Sequence, residues 1–301
     1  MKKFLSLLLT VVLLSACTPQ PVEWNALSIL APKGAPAVAL IPLLEKGLDT
    51  LEFVDGADLL SAELIKGEKD VIVAPVNLGA ALTSKGSSLY ELYAIVTWGN
   101  LYVVGAEVQP AIYPLNIALF GDKAVPGVVF NQVDDNLGYQ GTYFNSVSDV
   151  QGQLLSGAYS LGLLAEPLVT ATIAKAKASN LTLRVVQDVQ ALWKEKTGFD
   201  NFPQAAIFVK KDLSEDALAQ VSLRVDSMIE FNTTVDTDPS VVVEKIATVT
   251  PELIGVPSGE IVKAAWERLN ISVTRVSEVK DSVEAFLEVF KLNGLEGFYA
   301  E

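Results

Sequence analysis

Lys33 and Lys123 each stand three residues ahead of a proline, in Lys33-Gly34-Ala35-Pro36 and Lys123-Ala124-Val125-Pro126, ninety positions apart. Each copy follows a short apolar run, Leu27 to Leu30 and Ile117 to Phe120, and each precedes apolar residues at near-helical spacing. The pattern predicts strand, Lys-x-x-Pro loop and helix, with the proline in a first turn where its missing N–H does no harm. A helix N-terminus there offers free N–H groups and the positive end of a dipole, which is the chemistry of holding an anion or a polar ligand. One such turn is equally compatible with a cap that binds nothing. Two in register point to a two-sided cleft, and the same offset carries Gly67 onto Gly157.

The residue types that are missing narrow the chemistry further. The chain contains no His, so Ser-His-Asp and Cys-His nucleophiles, His-ligated zinc and the usual neutral-pH proton shuttle are excluded. Carboxylate and lysine chemistry remains open. The acidic pairs Asp134-Asp135 and Glu215-Asp216 have no partners at metal-ligand spacing and are expected on a solvated face. No metal and no cofactor is expected. Trp98, in Thr97-Trp98-Gly99-Asn100, is placed either to stack on a planar ligand or to fill a core beside Tyr102. Glu166, before Pro167, can hold a ligand ammonium or ring N–H, or cap the helix that follows. Trp193 is assigned to a loop, and Trp266, with Ile261, Val262 and Leu269, to a packed helix face.

The elements that must position these residues begin after an export signal. Lys2 and Lys3 precede an apolar run from Phe4 to Leu14, closed by Leu14-Ser15-Ala16-Cys17, with an apolar core too short to span a bilayer comfortably. Cys17 is the only cysteine, so the mature chain is expected to fold without a disulfide. The formal charge of -14 becomes -16 once Lys2 and Lys3 are removed, which argues against nucleic acid and anionic membrane surfaces as partners. With 301 residues, half of them hydrophobic, there is room for two medium domains.

Strands and helices alternate from Asn25 to Asp212, predicting an α/β architecture with mostly parallel sheets. Asp58 and Asn77 are candidate helix caps, and Ser146-x-x-Asp149 predicts a capping box for a helix ending at Gly157. Everything after Ser214 reads as largely helical. A crossover is predicted within Thr97 to Pro110 and a return near Phe199 to Lys210. If the strands of each lobe run parallel, their carboxyl ends line one cleft. Lys33, Gly34 and Ala35 would then face Gly121, Lys123 and Ala124 across it, joined by Val76, Asn77, Asn145, Glu166 and Trp98.

The end of the leader, Leu14-Ser15-Ala16-Cys17, resembles a bacterial lipobox. Together with the Lys33 loop, Gly67-Glu68-Lys69-Asp70-Val71, Ala165-Glu166-Pro167 and Ala265-Trp266-Glu267-Arg268-Leu269-Asn270, it makes the whole mature chain resemble solute-binding lipoproteins of ABC importers. The nearest group is the nitrate, sulfonate, taurine and thiamine-precursor type. The resemblance implies a type II periplasmic-binding-protein-like fold with a ligand between two lobes. It implies a monomer with an ABC permease as partner, located outside the cytoplasm and held to the membrane only by lipid on Cys17. The expected division is residues 1–16 as signal, 17–25 as tether, 26–105 as first lobe, 106–205 as second lobe, and 206–301 as a return to the first lobe with helices. The expected ligand is a small organic anion, such as a sulfonate or carboxylate, or a thiamine-precursor-like heterocycle, bound without chemistry. An enzyme on the same fold and a surface adhesion or structural lipoprotein are the alternatives. The thiamine-pathway pyrimidine synthases of this fold use a His that this chain lacks.

Overall fold

The computed structural model describes residues 24–106, 115–134 and 138–300. The leader and Cys17, most of the tether, part of the predicted crossover region and Asp135 lie outside the described residues. In chain order the first lobe opens with β1 (Ser28–Pro32), α1 (Ala35–Ala39), α2 (Ile41–Lys46), β2 (Thr50–Val54), α3 (Asp58–Lys66), β3 (Val71–Pro75), α4 (Val76–Ser84) and β4 (Tyr90–Trp98). The second contains β5 (Leu101–Gly105), β6 (Leu115–Phe120), α5 (Val125–Val133), β7 (Tyr139–Phe144), α6 (Val147–Leu155), β8 (Leu161–Ala165), α7 (Leu168–Ala178), β9 (Arg184–Asp188) and α8 (Val189–Thr197). The chain returns through β10 (Pro203–Lys210) to α9 (Glu215–Thr237), α10 (Ser240–Val249), α11 (Pro251–Ile254), α12 (Gly259–Leu269), β11 (Ile271–Arg275) and α13 (Val276–Glu288).

The two sheets have orders β11-β4-β10-β3-β1-β2 and β7-β6-β8-β5-β9. In the first, β1, β2, β3 and β4 share one direction while β10 and β11 oppose them. In the second, β6, β7, β8 and β9 share one direction and β5 opposes them. Ile29 pairs with Val71 as Ile117 pairs with Leu161, and Pro75 faces Ala205 as Ala165 faces Leu101. The ninety-residue offset is thus a repeat of topology. Each lobe presents three βα units and a fourth strand, with one antiparallel strand from a crossing segment threaded between the third and fourth strands.

That exchange shortens the crossover relative to the sequence expectation. Only Gly99 and Asn100 separate β4 from β5, so Leu101–Gly105 already stands in the second sheet, and β10 joins the first sheet from Pro203. The Gly99 N–H donates to the Phe202 carbonyl at 2.8 Å, binding outgoing and returning segments together. A Cβ on Gly99 would sit 2.4 Å from the Phe202 ring, a close approach that only glycine permits.

Local signals explain most of the elements. Ser146 and Asp149 form the reciprocal capping box at α6. Gly67, at φ +73°, ends α3 in the left-handed region. Asn77 does not cap; Pro75 stands at that position and Asn77 lies inside the first turn of α4. Trp193 lies on α8, not in a loop, and is fully buried against Phe202 and Phe286, with ring centroids 5.4 and 6.2 Å away. The C-terminal region also contains a strand, β11, where only helices were expected.

One buried ion pair ties the start of the described chain to α9. The side chains of Arg224 and Asp49 are 3% and 1% exposed. Arg224 donates to Asp49 Oδ1 at 2.6 Å and Oδ2 at 3.2 Å, to the Gln220 carbonyl and Oε1 at 3.1 and 2.7 Å, and to the Asn25 carbonyl. Asp49 in turn accepts the Leu27 N–H at 2.9 Å. Arg224→Met should destabilise the protein by about 3–5 kcal/mol in urea unfolding, because it leaves the Asp49 charge buried without its partner. Adding Asp49→Leu should recover much of that loss. Additive losses in the double variant would mean that the two side chains are not energetically coupled.

Candidate functional site

The carboxyl ends of β1, β3, β6 and β8 open into one cleft of about 430 Å³ between the lobes, a size within the roughly 300–1,000 Å³ of small-molecule sites. Lys33 to Pro36, Pro75, Asn77 and Leu78 contribute the first lobe's wall; Phe120, Lys123 to Pro126 and Ala165 to Pro167 contribute the second's. Thr97, Asn100, Leu101, Gln204 and Ala205, from the crossing segments, complete it with Pro32 and Ala57. Most of this lining is apolar, and among the described residues Phe120 is its one aromatic ring.

Both Lys-x-x-Pro loops reach the cleft, and the first uses up most of its own backbone donors. Gly34, at φ +94°, adopts a conformation available to glycine, and its N–H donates to the Ile254 carbonyl at 2.8 Å. Its carbonyl accepts from Ala37 and Val38. The Gly121 carbonyl accepts from Ala124 at 2.9 Å and Gly127 at 3.0 Å. Pro36 and Pro126 have no N–H, which leaves the Ala35 amide in the first loop and the Asp122, Lys123 and Val125 amides in the second without a backbone acceptor. Helix α1 has only five residues and contributes little dipole. Lys33 Nζ pairs with the exposed Asp55 at 2.8 Å. The first turn of α4 has no capping side chain.

Of the residues expected at the site, Lys33, Gly34, Ala35, Asn77, Lys123, Ala124 and Glu166 line the cleft. Val76, Trp98, Gly121 and Asn145 do not. Val76 is fully buried in the core beneath the helix. Gly121 shapes the turn behind its loop. Asn145 is exposed at the end of β7, the edge strand of its sheet, beyond reach of the cleft wall. Trp98 follows Thr97 on a strand, where successive side chains point to opposite faces. Thr97 therefore lines the cleft while Trp98 lines a separate hollow with Asn270 and Trp266, its indole N–H donating to the Ser272 carbonyl at 3.0 Å.

Glu166 is buried, and both carboxylate oxygens have protein donors. Oε1 accepts from Arg268 Nε at 2.7 Å and from the Thr170 hydroxyl at 2.9 Å, and Oε2 accepts the Thr170 N–H at 3.0 Å. The Thr170 amide lies in the first turn of α7, so Glu166 caps that helix. Arg268 comes from α12, whose apolar face packs in the first lobe's core, and it also donates to the Thr170 hydroxyl at 2.7 Å. The Arg268 carbonyl accepts from the Tyr102 hydroxyl at 3.3 Å. Burial, with the charges of Asp188 and Glu166 adding to it, pushes the Tyr102 phenol well above its ordinary range, so it remains a donor.

Asn100 links the same corner, its Nδ2 donating to the Glu166 carbonyl at 3.2 Å and its carbonyl accepting the Glu166 N–H at 3.0 Å. The buried Oδ1 atoms of Asn77 and Asn100 accept nothing from the described residues. An unsatisfied buried acceptor costs about 1–3 kcal/mol. Asn100, Phe120 and Arg268 were not among the expected site residues. Asn100 stands within the crossover motif, and Phe120 ends the apolar run before Gly121, so both carried a positional signal. Arg268 carried none, because its partner is about a hundred residues away in sequence. Among the described residues no group of acidic side chains is arranged to hold a metal ion.

No protein-family model matches the chain, and no curated protein matches it. Similarity to solved structures is extensive. A crystal structure described as an ABC transporter from Parabacteroides distasonis is 23% identical, with 92% of this chain and 99% of that one covered at a TM-score of 0.75. The periplasmic aliphatic sulphonate binding protein of Escherichia coli is 14% identical, with 93% of each chain covered and a TM-score of 0.65. The ligand binding component of an ABC-type import system from Staphylococcus aureus, solved with zinc bound, is 11% identical, with 92% and 96% covered and a TM-score of 0.66. At these identities the likeness is one of architecture, and the exchanged strands and the cleft at the strand ends agree with it: the chain has the two-lobed, type II periplasmic-binding-protein fold.

Proposed function

We propose that this protein is an extracytoplasmic solute-binding lipoprotein that captures a small organic solute between its lobes and hands it unchanged to an ABC importer. The observation that carries this reading is the cleft itself. Loops from two topologically repeated lobes converge on one apolar cavity whose polar groups are few and mostly already hydrogen-bonded, an arrangement suited to enclosing a ligand. The named functions of the similar structures support the same reading. Sulfonate- or carboxylate-like anions and thiamine-precursor-like heterocycles are the solute classes proposed, with Lys123 and the Ala35 and Val125 amides facing an anionic head and Phe120 an apolar or flat body.

The lipid anchor is proposed from the leader sequence, with Cys17 as the acylated first residue and the permease as the membrane partner. No helix among the described residues is long and apolar enough to cross a membrane. Two or more acyl chains would hold the protein stably, where one would not. Labelled palmitate should enter the wild-type protein in its native host and be absent from Cys17→Ser. Equal labelling of both would remove the anchor from the proposal.

Capture itself predicts that gentle purification carries solute along. A native mass spectrum should show a small-molecule adduct that disappears on unfolding and refolding. Adding the recovered compound back should reduce the radius of gyration in solution scattering, as hinge closure requires. A recovered compound that returns chemically altered would favour an enzyme, and a protein partner with no small molecule would favour an adhesive role.

A further inference from the structure

Two adjacent residues of β10, Gln204 and Ala205, line the same cleft, although successive side chains along a strand point to opposite faces. The pairing with β4 explains the exception. Pro203 stands opposite Trp98 and Ala205 opposite Thr97, so Gln204 is an extra residue with no counterpart on the neighbouring strand. This is a β-bulge, the irregularity by which a strand re-aims one side chain. From Pro203 to Val209 every residue is buried except Gln204, which is partly exposed. The bulge lies in the return crossing, two residues after the Phe202 carbonyl that accepts the Gly99 N–H, so Gln204 belongs to the floor of the cleft where the lobes join.

The polar neighbours on that floor are already engaged. The Thr97 hydroxyl accepts the Ala205 N–H at 3.2 Å, and Asn100 Nδ2 donates to the Glu166 carbonyl at 3.2 Å. The Glu166 side chain is fully buried and held by Arg268 and Thr170. By contrast, no hydrogen bond from another described residue reaches the Gln204 amide. At the rim, Lys33 has Asp55, whereas Lys123 is exposed and, among the described residues, has no carboxylate partner.

We infer, resting on the solute-capture reading, that Gln204 is a specificity-determining residue: its amide pairs with an uncharged group of the solute that offers a donor beside an acceptor, while any negative charge on the solute lies at the rim against Lys123. A carboxamide, a urea or a ring lactam meets both ends of the Gln204 amide at once. A sulfonate or carboxylate turned to the floor would satisfy the N–H end and set its other oxygens against the carbonyl end. It would also carry its charge away from Lys123, toward a wall whose ionised group, Glu166, has the same sign. The cleft thus orients a solute of two unlike ends by the neutral one.

Two probes that share a benzenesulfonate body separate the ends: 4-carbamoylbenzenesulfonate, with an amide opposite the charge, and 4-methylbenzenesulfonate, with a methyl group there. Titration calorimetry on the full mature chain should show the carbamoyl probe binding roughly tenfold tighter, the worth of one or two added hydrogen bonds. Gln204→Met keeps the length of the side chain and removes its hydrogen bonding. It should bring the two probes level by weakening the carbamoyl probe alone, with the thermal midpoint of the probe-free protein unchanged. Gln204→Ala supplies the same comparison if Gln204→Met does not fold. Lys123→Gln should weaken both probes by the same factor and keep the preference. Equal affinities in the wild type, tighter binding of the methyl probe, or a preference that survives Gln204→Met overturns the inference. So does failure of the wild type to bind either probe. In each of these cases a solute adduct in the native mass spectrum leaves solute capture standing, and its absence overturns both readings.

Discussion

The hydrogen bonding of β5 and β10 is the constraint on which the rest of the molecule depends. Each is threaded between the third and fourth strands of a sheet whose other strands come largely from a different stretch of the chain, so neither sheet is continuous until the crossing has been made. The same exchange sets the short connections at Gly99 and Phe202 and lays their segments side by side. With the crossings so tight, the carboxyl ends of the parallel strands are brought to a common edge. The cleft follows from that edge without any further device.

Within the cleft, the main electrostatic problem is solved inside the protein. A buried carboxylate needs compensation, and Glu166 obtains it from a helix cap, a hydroxyl and a guanidinium arriving from the opposite lobe. The corner where these groups meet is also where Asn100 joins crossover to wall and Tyr102 grips the Arg268 backbone. Beside it lies a packed aromatic group, Trp193, Phe202 and Phe286, whose members belong to α8, the return segment and α13. The cleft therefore has an internally neutralised corner and an apolar body, with Asn77, Lys123 and Gln204 as further polar side chains along its wall.

Much of this architecture was legible in the sequence because its signals are local. Lys-x-x-Pro loops, the Ser146 capping box and terminal glycines each announce themselves within a few residues, and the ninety-residue repeat exposed the two lobes. Loop placement at strand ends then located Asn77, Lys123 and Glu166 at the cleft. Trp98 shows where that logic fails: a one-residue step along a strand reverses the face, and only the pairing register says which face is which. Trp193 was misplaced although Asp188 and Gly198 bracket its helix with ordinary cap signals. The strand β11 was overlooked within a region dominated by helices, although Ile271, Val273 and Thr274 are β-branched. Arg268 was beyond reach, because an ion pair across a hundred residues leaves no spacing to read.

On the proposed anchor at Cys17, the clasp of Arg224 on Asn25 and Asp49 would be the place where load enters the molecule. Trp24 lies under two cations, Lys46 Nζ 4.1 Å and the Arg224 guanidinium 4.5 Å from its ring. A pull on the segment ahead of it is met by this knot of hydrogen bonds and stacked charge before it reaches a strand. The force would then be shared with α2 and α9, which pack against each other in the first lobe. On the proposed anchor at Cys17, the first lobe would therefore bear the tether's load, and the second would carry none of it.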